Sequence, residues 1–388
     1  MSNNYIFEQW DEEKLNLSME LLRGIYSYGF DTPSPIQQKS IIPLMTTNDV
    51  IAQAQSGTGK TGAFVIGSLT KVDKNNTNPQ VLILSPTREL SIQNYNVTKS
   101  ISQFMKNVNV HLLIGGTSVN EDKQKLMNEP SQVVVGTPGR VYDLIQRGVL
   151  NTEDIKTLVL DEADEMLSKG FKEQVYNIFR YMDKDIQVAL FSATFPNECK
   201  ELSMRFMRDP IKILVNREQL TLEGIKQYYV NMESDTQKYM TLKDLFDRIT
   251  LSQCIIYCNS ISRVQTLTQQ MRNDNFPVVS IYGSMTQKER LQSLEEFKQG
   301  AYRVLISSDI IARGIDIQQV RIIINYDIPN DVSTYLHRIG RGGRWGRKGI
   351  AINFVEDKQI KQLEYIQDYY QTQIDELTEN FNNYLLSS

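Results

Sequence analysis

The chain has 388 residues, 40% of them apolar and 23% charged, with a net charge of −4 and a pI of about 5.5. Such a composition builds ordinary soluble cores, and the length suggests two or three domains. It excludes a wholesale basic surface, so any nucleic-acid site must be a local cleft.

No apolar run approaches the roughly 18 residues of a membrane span. The opening Met1-Ser2-Asn3-Asn4-Tyr5 lacks a basic n-region and an apolar h-region, so no secretory signal is expected. Cys199, Cys254 and Cys258 are too few for a disulfide framework and fit a reducing compartment. Cys254 and Cys258 would share one buried strand face, with no further ligand nearby to complete a zinc site. His111 lies in an apolar run and reads as structural.

In chain order, Leu17, Leu21, Leu22 and Ile25 recur at helical spacing, and Gly29 ends that helix. Pro33 and Pro35 mark a rigid turn before a second helix from about Ile36. Strand-like runs follow at 50–53, 81–85, 111–114, 133–135, 157–160 and 187–192, separated by helical patterns. Continuous apolar runs alternating with helices predict a parallel sheet covered on both faces. One more strand, 211–215, precedes a polar stretch, 216–224, read as a linker. A second series starts at 254–258 and continues at 278–282, 303–307, 321–326 and 350–355. Ser284 or Thr286 can cap a helix that Gly300 ends, and Ile360, Leu363, Ile366, Tyr369 and Tyr370 predict a final helix. The expected organisation is an α/β chain with a first domain over 1–215, a linker over 216–224 and a second domain over 225–388.

Two stretches carry the chemistry. The first is Ala54-Gln55-Ser56-Gly57-Thr58-Gly59-Lys60-Thr61, set between a strand and an opening helix. Strand, glycine turn, Lys-Thr and helix is the pattern of a phosphate-binding loop, with Ala54 where the general pattern begins in glycine. Gly57 and Gly59 let the backbone N–H groups of the loop, Ser56 and Thr58 included, curl toward an anion at a helix N-terminus. Lys60 can reach the β- and γ-phosphates, and Thr61 can offer its hydroxyl to Mg²⁺. The second stretch is Asp161-Glu162-Ala163-Asp164, where a strand of an open α/β sheet ends and ligands bind. Asp161 can hold Mg²⁺, and Glu162 can orient and deprotonate the attacking water. Alone, an acidic helix start would be ordinary; with the phosphate loop upstream it is not.

Together these stretches resemble the DEAD-box family of ATP-dependent RNA helicases. The resemblance runs from about Trp10 to Leu377, with the motifs in the family's order. Leu21-Leu22-Arg23-Gly24-Ile25-Tyr26, Thr221-Leu222-Glu223-Gly224-Ile225 and Arg341-Gly342-Gly343-Arg344 narrow it toward the branch serving translation initiation. The relative in the exon junction complex is the nearest competitor. Gly342 and Ile315-Asp316-Ile317-Gln318-Gln319 lean toward the first, and Phe354-Val355 and Gln371 to Glu376 toward the second.

The resemblance implies two RecA-like domains and a set of roles. Phe30 and Gln37 belong to the adenine-reading motif, and an amide can distinguish adenine from guanine by its donor and acceptor faces. An upstream aromatic, Trp10 or Phe7, would stack on the base. Thr87, Arg88, Gly115, Gly116, Thr137 and Arg140 would contact RNA phosphates and riboses in the first domain. Ser192 and Thr194 would couple hydrolysis to strand separation through the acidic motif. In the second domain Gln287, Arg290, Ser308 and Asp309 would meet RNA, and Asp316 the nucleotide ribose. Arg341 and Arg344 would be arginine fingers, joining Lys60, Asp161 and Glu162 as the catalytic set. Ser308 stands where the family has Thr, and Tyr282-Gly283-Ser284 replaces its His-Gly-Asp.

The implied activity is sequence-independent binding of single-stranded RNA and local unwinding of short duplexes, coupled to ATP hydrolysis with Mg²⁺ and domain closure. A cytoplasmic monomer on an initiation factor 4G-like helical-repeat scaffold is the implied setting. An ATP-dependent RNA clamp in a ribonucleoprotein is the rival reading. A DNA helicase is a further rival, opposed by the adenine motif.

Overall fold

Alternate residues of a buried strand face opposite sides of its sheet, and here both sides are apolar. Val50, Ala52, Val81, Ile83, Val133, Val135, Val159, Ala189 and Phe191 belong to one core of the first half. Their chain neighbours Ile51, Leu82, Val134, Leu158, Leu160, Val188 and Leu190 belong to another. The sheet must therefore carry helices on both faces. The computed structural model describes residues 6–377, apart from positions 56, 169, 215–223, 249–252, 313–316, 318–319 and 343–348.

The chain divides into two compact units, Met1–Val215 and Asn216–Ser388. The strands of the first are β1 (Val50–Gln53), β2 (Val81–Leu84), β3 (Val110–Leu113), β4 (Val133–Gly136), β5 (Thr157–Asp161), β6 (Gln187–Ser192) and β7 (Ile211–Ile213). Those of the second are β8 (Ile225–Met232), β9 (Cys254–Tyr257), β10 (Val278–Ile281), β11 (Val304–Ser307), β12 (Ile322–Asn325), β13 (Gly349–Glu356) and β14 (Asp375–Glu376). They form two seven-stranded sheets of order β3-β4-β2-β5-β6-β1-β7 and β10-β11-β9-β12-β13-β8-β14. Every pairing is parallel. The two orders are the same, so β8 corresponds to β1, β12 to β5 and β13 to β6.

Two strands carry no clear sequence signal. β8 has Lys226, Gln227 and Asn231 among its apolar residues, and only part of it is buried. β14 is two exposed acidic residues on a sheet edge. Thr286, not Ser284, caps its helix, in a reciprocal box with Glu289. Gly300 follows in the left-handed conformation that its lack of Cβ permits. Cys254 and Cys258 are free and buried on one face of β9 and its extension, and burial pushes the Cys254 thiol up to about 12. The His111 ring donates to the Glu129 carbonyl at 2.8 Å, a structural bond.

Where the first unit has the phosphate loop, the second has charge pairs. Lys238 opens the helix Lys238–Arg248 after β8, as Lys60 opens the helix Lys60–Leu69 after β1. Its buried ammonium lies 3.2 Å from both Asp235 and Asp327 and 3.7 Å from Glu356. Arg263 pairs with Asp235 as well and holds its carboxyl down at about 2. The contribution of Asp235 is therefore complete above the ordinary aspartate value of about 3.9 and fades as pH falls toward 2. Asp235→Asn should lower the urea midpoint at pH 7 and make the loss between pH 4 and pH 2 shallower.

Gly24 lets the helix Met19–Ser27 lie directly on the helix Arg88–Ser102: a Cβ there would stand 1.8 Å from the Ile101 carbonyl oxygen. Alanine gains about 1 kcal/mol of helix propensity over glycine. Here it would meet backbone, which cannot rotate away. Gly24→Ala should lower stability by about 1–3 kcal/mol, read as a reduced denaturant midpoint at unchanged slope.

Candidate active site

The phosphate loop leaves β1 at its C-terminal end. Gly57 and Gly59 take positive φ, +81° and +101°, so the chain can curl before the helix begins at Lys60. The Lys60 ammonium is buried and donates to the Ala54 carbonyl at 2.9 Å, spanning the loop. Thr58 donates to the Gln55 carbonyl at 2.7 Å. Ser56 lies outside the described residues.

Gln37 packs against this loop. Its carbonyl accepts from the Ser34 N–H at 2.7 Å, and its amide donates to the Gly59 carbonyl at 3.3 Å. A Cβ on Gly59 would lie 2.9 Å from the Gln37 amide nitrogen, and one on Gly62 would lie 2.6 Å from both that nitrogen and the Phe30 ring. The two glycines thus open the space that Gln37 and Phe30 fill. Each amide group retains a second bonding position, which a base edge can use. Trp10 and Phe7 are fully buried, their ring centroids 5.6 Å apart, so as they sit neither offers a ring face to a base.

The acidic motif begins on the last residue of β5. Asp161 accepts from the Asn94 amide at 2.8 Å and from the Glu162 N–H at 3.0 Å. Burial, then the Glu162 carboxylate, hold its carboxyl above the ordinary range, against the pull of Asn94 and Lys60. A cation at this point would relieve both causes. Glu162 itself has φ +50° and ψ +55°, a left-handed conformation uncommon outside glycine and characteristic of functional sites. A lone helical asparagine gives no signal in a sequence, and Asn94 is such a residue. Its buried amide joins Thr61, at 3.3 Å from the hydroxyl, to Asp161 and to Ser85. The oxygens of Thr61 and Asp161 are the donor types that Mg²⁺ selects, and they are gathered on one amide.

Asp164 faces the end of β6. Ser192 donates to one carboxylate oxygen at 2.8 Å and Thr194 to the other at 2.5 Å. The Ala54 N–H donates to the Ser192 carbonyl, and the Gln53 amide to the Ala193 carbonyl. Phosphate loop, acidic motif and Ser192–Thr194 are therefore one hydrogen-bonded assembly.

A cleft of about 430 Å³ gathers Pro86, Arg88, Gly115, Thr137, Gly139 and Arg140 beside Phe171 and Gln174. Thr87 caps the helix Arg88–Ser102 by accepting from the Leu90 N–H. Arg88 lies over Gly115 and Gly116, where a Cβ on Gly116 would meet its guanidinium at 2.7 Å. Arg140 is turned inward, paired with Asp122 and donating to the Thr117 hydroxyl and carbonyl at 2.8 Å. It pins the turn that carries Gly115 and Gly116.

In the second unit, Gln287 opens the helix Gln287–Lys298 and accepts from buried Arg290 at 3.1 Å. Ser308 precedes the short turn Asp309–Ile311. Arg341 is buried and donates to the His337 carbonyl at 3.2 Å. Arg344 and Asp316 lie outside the described residues.

Two family models match the chain: DEAD/DEAH box helicase over residues 34–202, and helicase conserved C-terminal domain over 237–346. This chain belongs to the DEAD/DEAH box helicases. It is 52% identical over 365 residues to the ATP-dependent RNA helicase eIF4A of Kluyveromyces lactis, covering 94% of this chain and 92% of that protein. It is equally identical, over 367 residues, to eukaryotic initiation factor 4A-3 of Nicotiana plumbaginifolia, with 95% and 93% covered. Saccharomyces cerevisiae Dbp5, bound to RNA and ADP BeF3, superposes with a TM-score of 0.90 at 33% identity, with 97% and 98% covered.

Thr194→Val keeps the shape of the side chain and removes the donor to Asp164. Hydrogen bonds to charged groups contribute about 1.5–3 kcal/mol. The variant should lose that much in urea unfolding, and the loss should largely vanish in an Asp164→Leu background, which has no acceptor.

Proposed function

We propose that the chain is an ATP-dependent RNA helicase of the initiation factor 4A type. It binds single-stranded RNA without reading sequence and opens short duplexes locally, in translation initiation. The observation that carries this reading is the assembly of Lys60, Asp161, Glu162, Asp164, Ser192 and Thr194 at the ends of β1, β5 and β6. It joins a phosphate loop to an acidic motif in a member of a helicase family.

In this reading the N–H groups of the loop and Lys60 take the triphosphate, and Gln37 takes the adenine edge. Thr61 and Asp161 hold Mg²⁺, which when bound neutralises phosphate charge. Glu162, fixed by its left-handed backbone, orients the attacking water and accepts its proton. Ser192 and Thr194 register, through Asp164, any shift in the acidic motif. Thr87, Arg88, Gly115, Gly116 and Thr137 meet the RNA backbone, with Arg140 as their support. Gln287, Arg290 and Ser308 meet it from the second unit. Arg341 and Arg344 stabilise charge on the transferring phosphoryl group when the units close. ATP and RNA are then coupled reciprocally through that closure. The chain works as a cytoplasmic monomer on a helical-repeat scaffold of the initiation factor 4G kind. Among the described residues no helix is long and apolar enough to cross a membrane.

ATP hydrolysis measured with and without single-stranded RNA tests the reading. RNA should raise turnover several-fold, a matching DNA strand should not, and Glu162→Gln should abolish turnover while nucleotide still binds. Equal stimulation by DNA, or none by RNA, would sink it. A short-duplex assay should then show strand release in ATP, which a static clamp would not give.

A further inference from the structure

Thr61 is the second residue of the helix Lys60–Leu69, and Asp161 is the last residue of β5. Their elements are not neighbours in the sheet, because β6 stands between β1 and β5. One side chain from a third element joins them. Asn94 lies in the second turn of the helix Arg88–Ser102 and is fully buried. Its Nδ2 donates to Asp161 Oδ2 at 2.8 Å and to Ser85 Oγ, just past the end of β2, at 2.9 Å. Its Oδ1 accepts from the Thr61 hydroxyl at 3.3 Å. Further along the same helix, Val97 and Ile101 are buried in the core that also holds Ala63 and Val159. The amide is therefore carried on packed helix, not on a loop.

The chemistry of these partners fixes which way the amide faces. A metal-binding carboxylate only accepts hydrogen bonds, so the NH₂ end lies toward Asp161 and the carbonyl end toward Thr61. The reversed amide would set a carbonyl oxygen against a buried carboxylate. With the carbonyl end toward Thr61, the hydroxyl sends its proton to Asn94 and turns its lone pairs elsewhere. A hydroxyl binds a cation through a lone pair, so this is the orientation that a metal-binding Thr61 needs. Asp161 is fixed in the same way, Oδ2 by Asn94 and Oδ1 by the Glu162 N–H at 3.0 Å. Its carboxylate cannot rotate without losing both bonds. A neutral amide suits this place: a third carboxylate would repel Asp161, and an ammonium or guanidinium would compete with the cation.

We infer that Asn94 is a positioning residue for Mg²⁺. It acts through Thr61 and Asp161, holding two oxygen donors from separate elements in the orientation that a divalent cation uses. The inference rests on the reading of Thr61 and Asp161 as the Mg²⁺ ligands.

The test uses the full chain and a fluorescent, non-hydrolysable ATP analogue, whose binding is titrated in EDTA and then against rising Mg²⁺. Removing a group that orients metal ligands typically costs about 10–100-fold in metal affinity. Asn94→Leu should therefore raise the Mg²⁺ concentration at half effect by about tenfold or more, and leave affinity in EDTA within roughly twofold. Thr61→Val should raise it too. The double variant should cost less than the product of the two single changes, because both act on one ligand. An unchanged Mg²⁺ midpoint in Asn94→Leu overturns the inference. So does an equal loss with and without Mg²⁺, which reports a damaged nucleotide site, and so does a full product in the double variant. If Asn94→Leu does not fold, Asn94→Ala, which crowds no neighbour, decides by the same two titrations. If binding by the unaltered chain ignores Mg²⁺, the reading of the Mg²⁺ ligands falls and this inference with it. If the unaltered chain responds and Asn94→Leu responds alike, only this inference falls.

Discussion

The site depends on one carboxylate held from both sides. Asp164 receives the hydroxyls of Ser192 and Thr194, so the ends of β5 and β6 cannot separate without exposing a buried charge. The phosphate loop is hung from the same place by the bonds of Ala54 and Gln53 to the Ser192–Ala193 backbone. Neighbouring strand ends in a parallel sheet already lie side by side, so short side chains suffice to lock them. The nucleotide chemistry is thereby built on rigid backbone, with Asn94 behind it joining Thr61 to Asp161.

Much of this was legible before the structure. Strands buried on both faces read as continuous apolar runs, and ten of the fourteen strands carry that mark. Of the four that do not, β3 and β7 are the edges of the first sheet, and β8 and β14 sit toward one edge of the second. There one face meets solvent and polar residues enter the pattern. The phosphate loop and acidic motif are local in sequence, so spacing alone exposes them. What stays hidden is partnership across the chain. Gln37 reads as a base contact, yet in the structure it also braces the phosphate loop. Arg140 reads as a phosphate ligand, yet its guanidinium is given to Asp122 and Thr117. Trp10 reads as a stacking ring, yet it fills the core. No periodicity encodes such pairings, because each joins residues from distant elements.

The electrostatics follow the same division. A chain with a net charge of −4 has no general attraction for a polyanion. Its cations are placed one at a time, and several are spent on internal structure before any ligand arrives. Arg338 and Lys238 are buried, Arg140 is half-buried, and all three are paired.

The Lys238 cluster has a consequence for stoichiometry. The second unit repeats the strand order of the first, and it too places a lysine at the head of the helix after its first strand. That lysine is already matched by Asp235, Asp327 and Glu356. A phosphate arriving there would face three carboxylates and would have to take a buried ammonium away from them. The second unit thus repeats the strand order with its corresponding lysine neutralised from within, so among the described residues it offers no free ammonium at this position to a triphosphate.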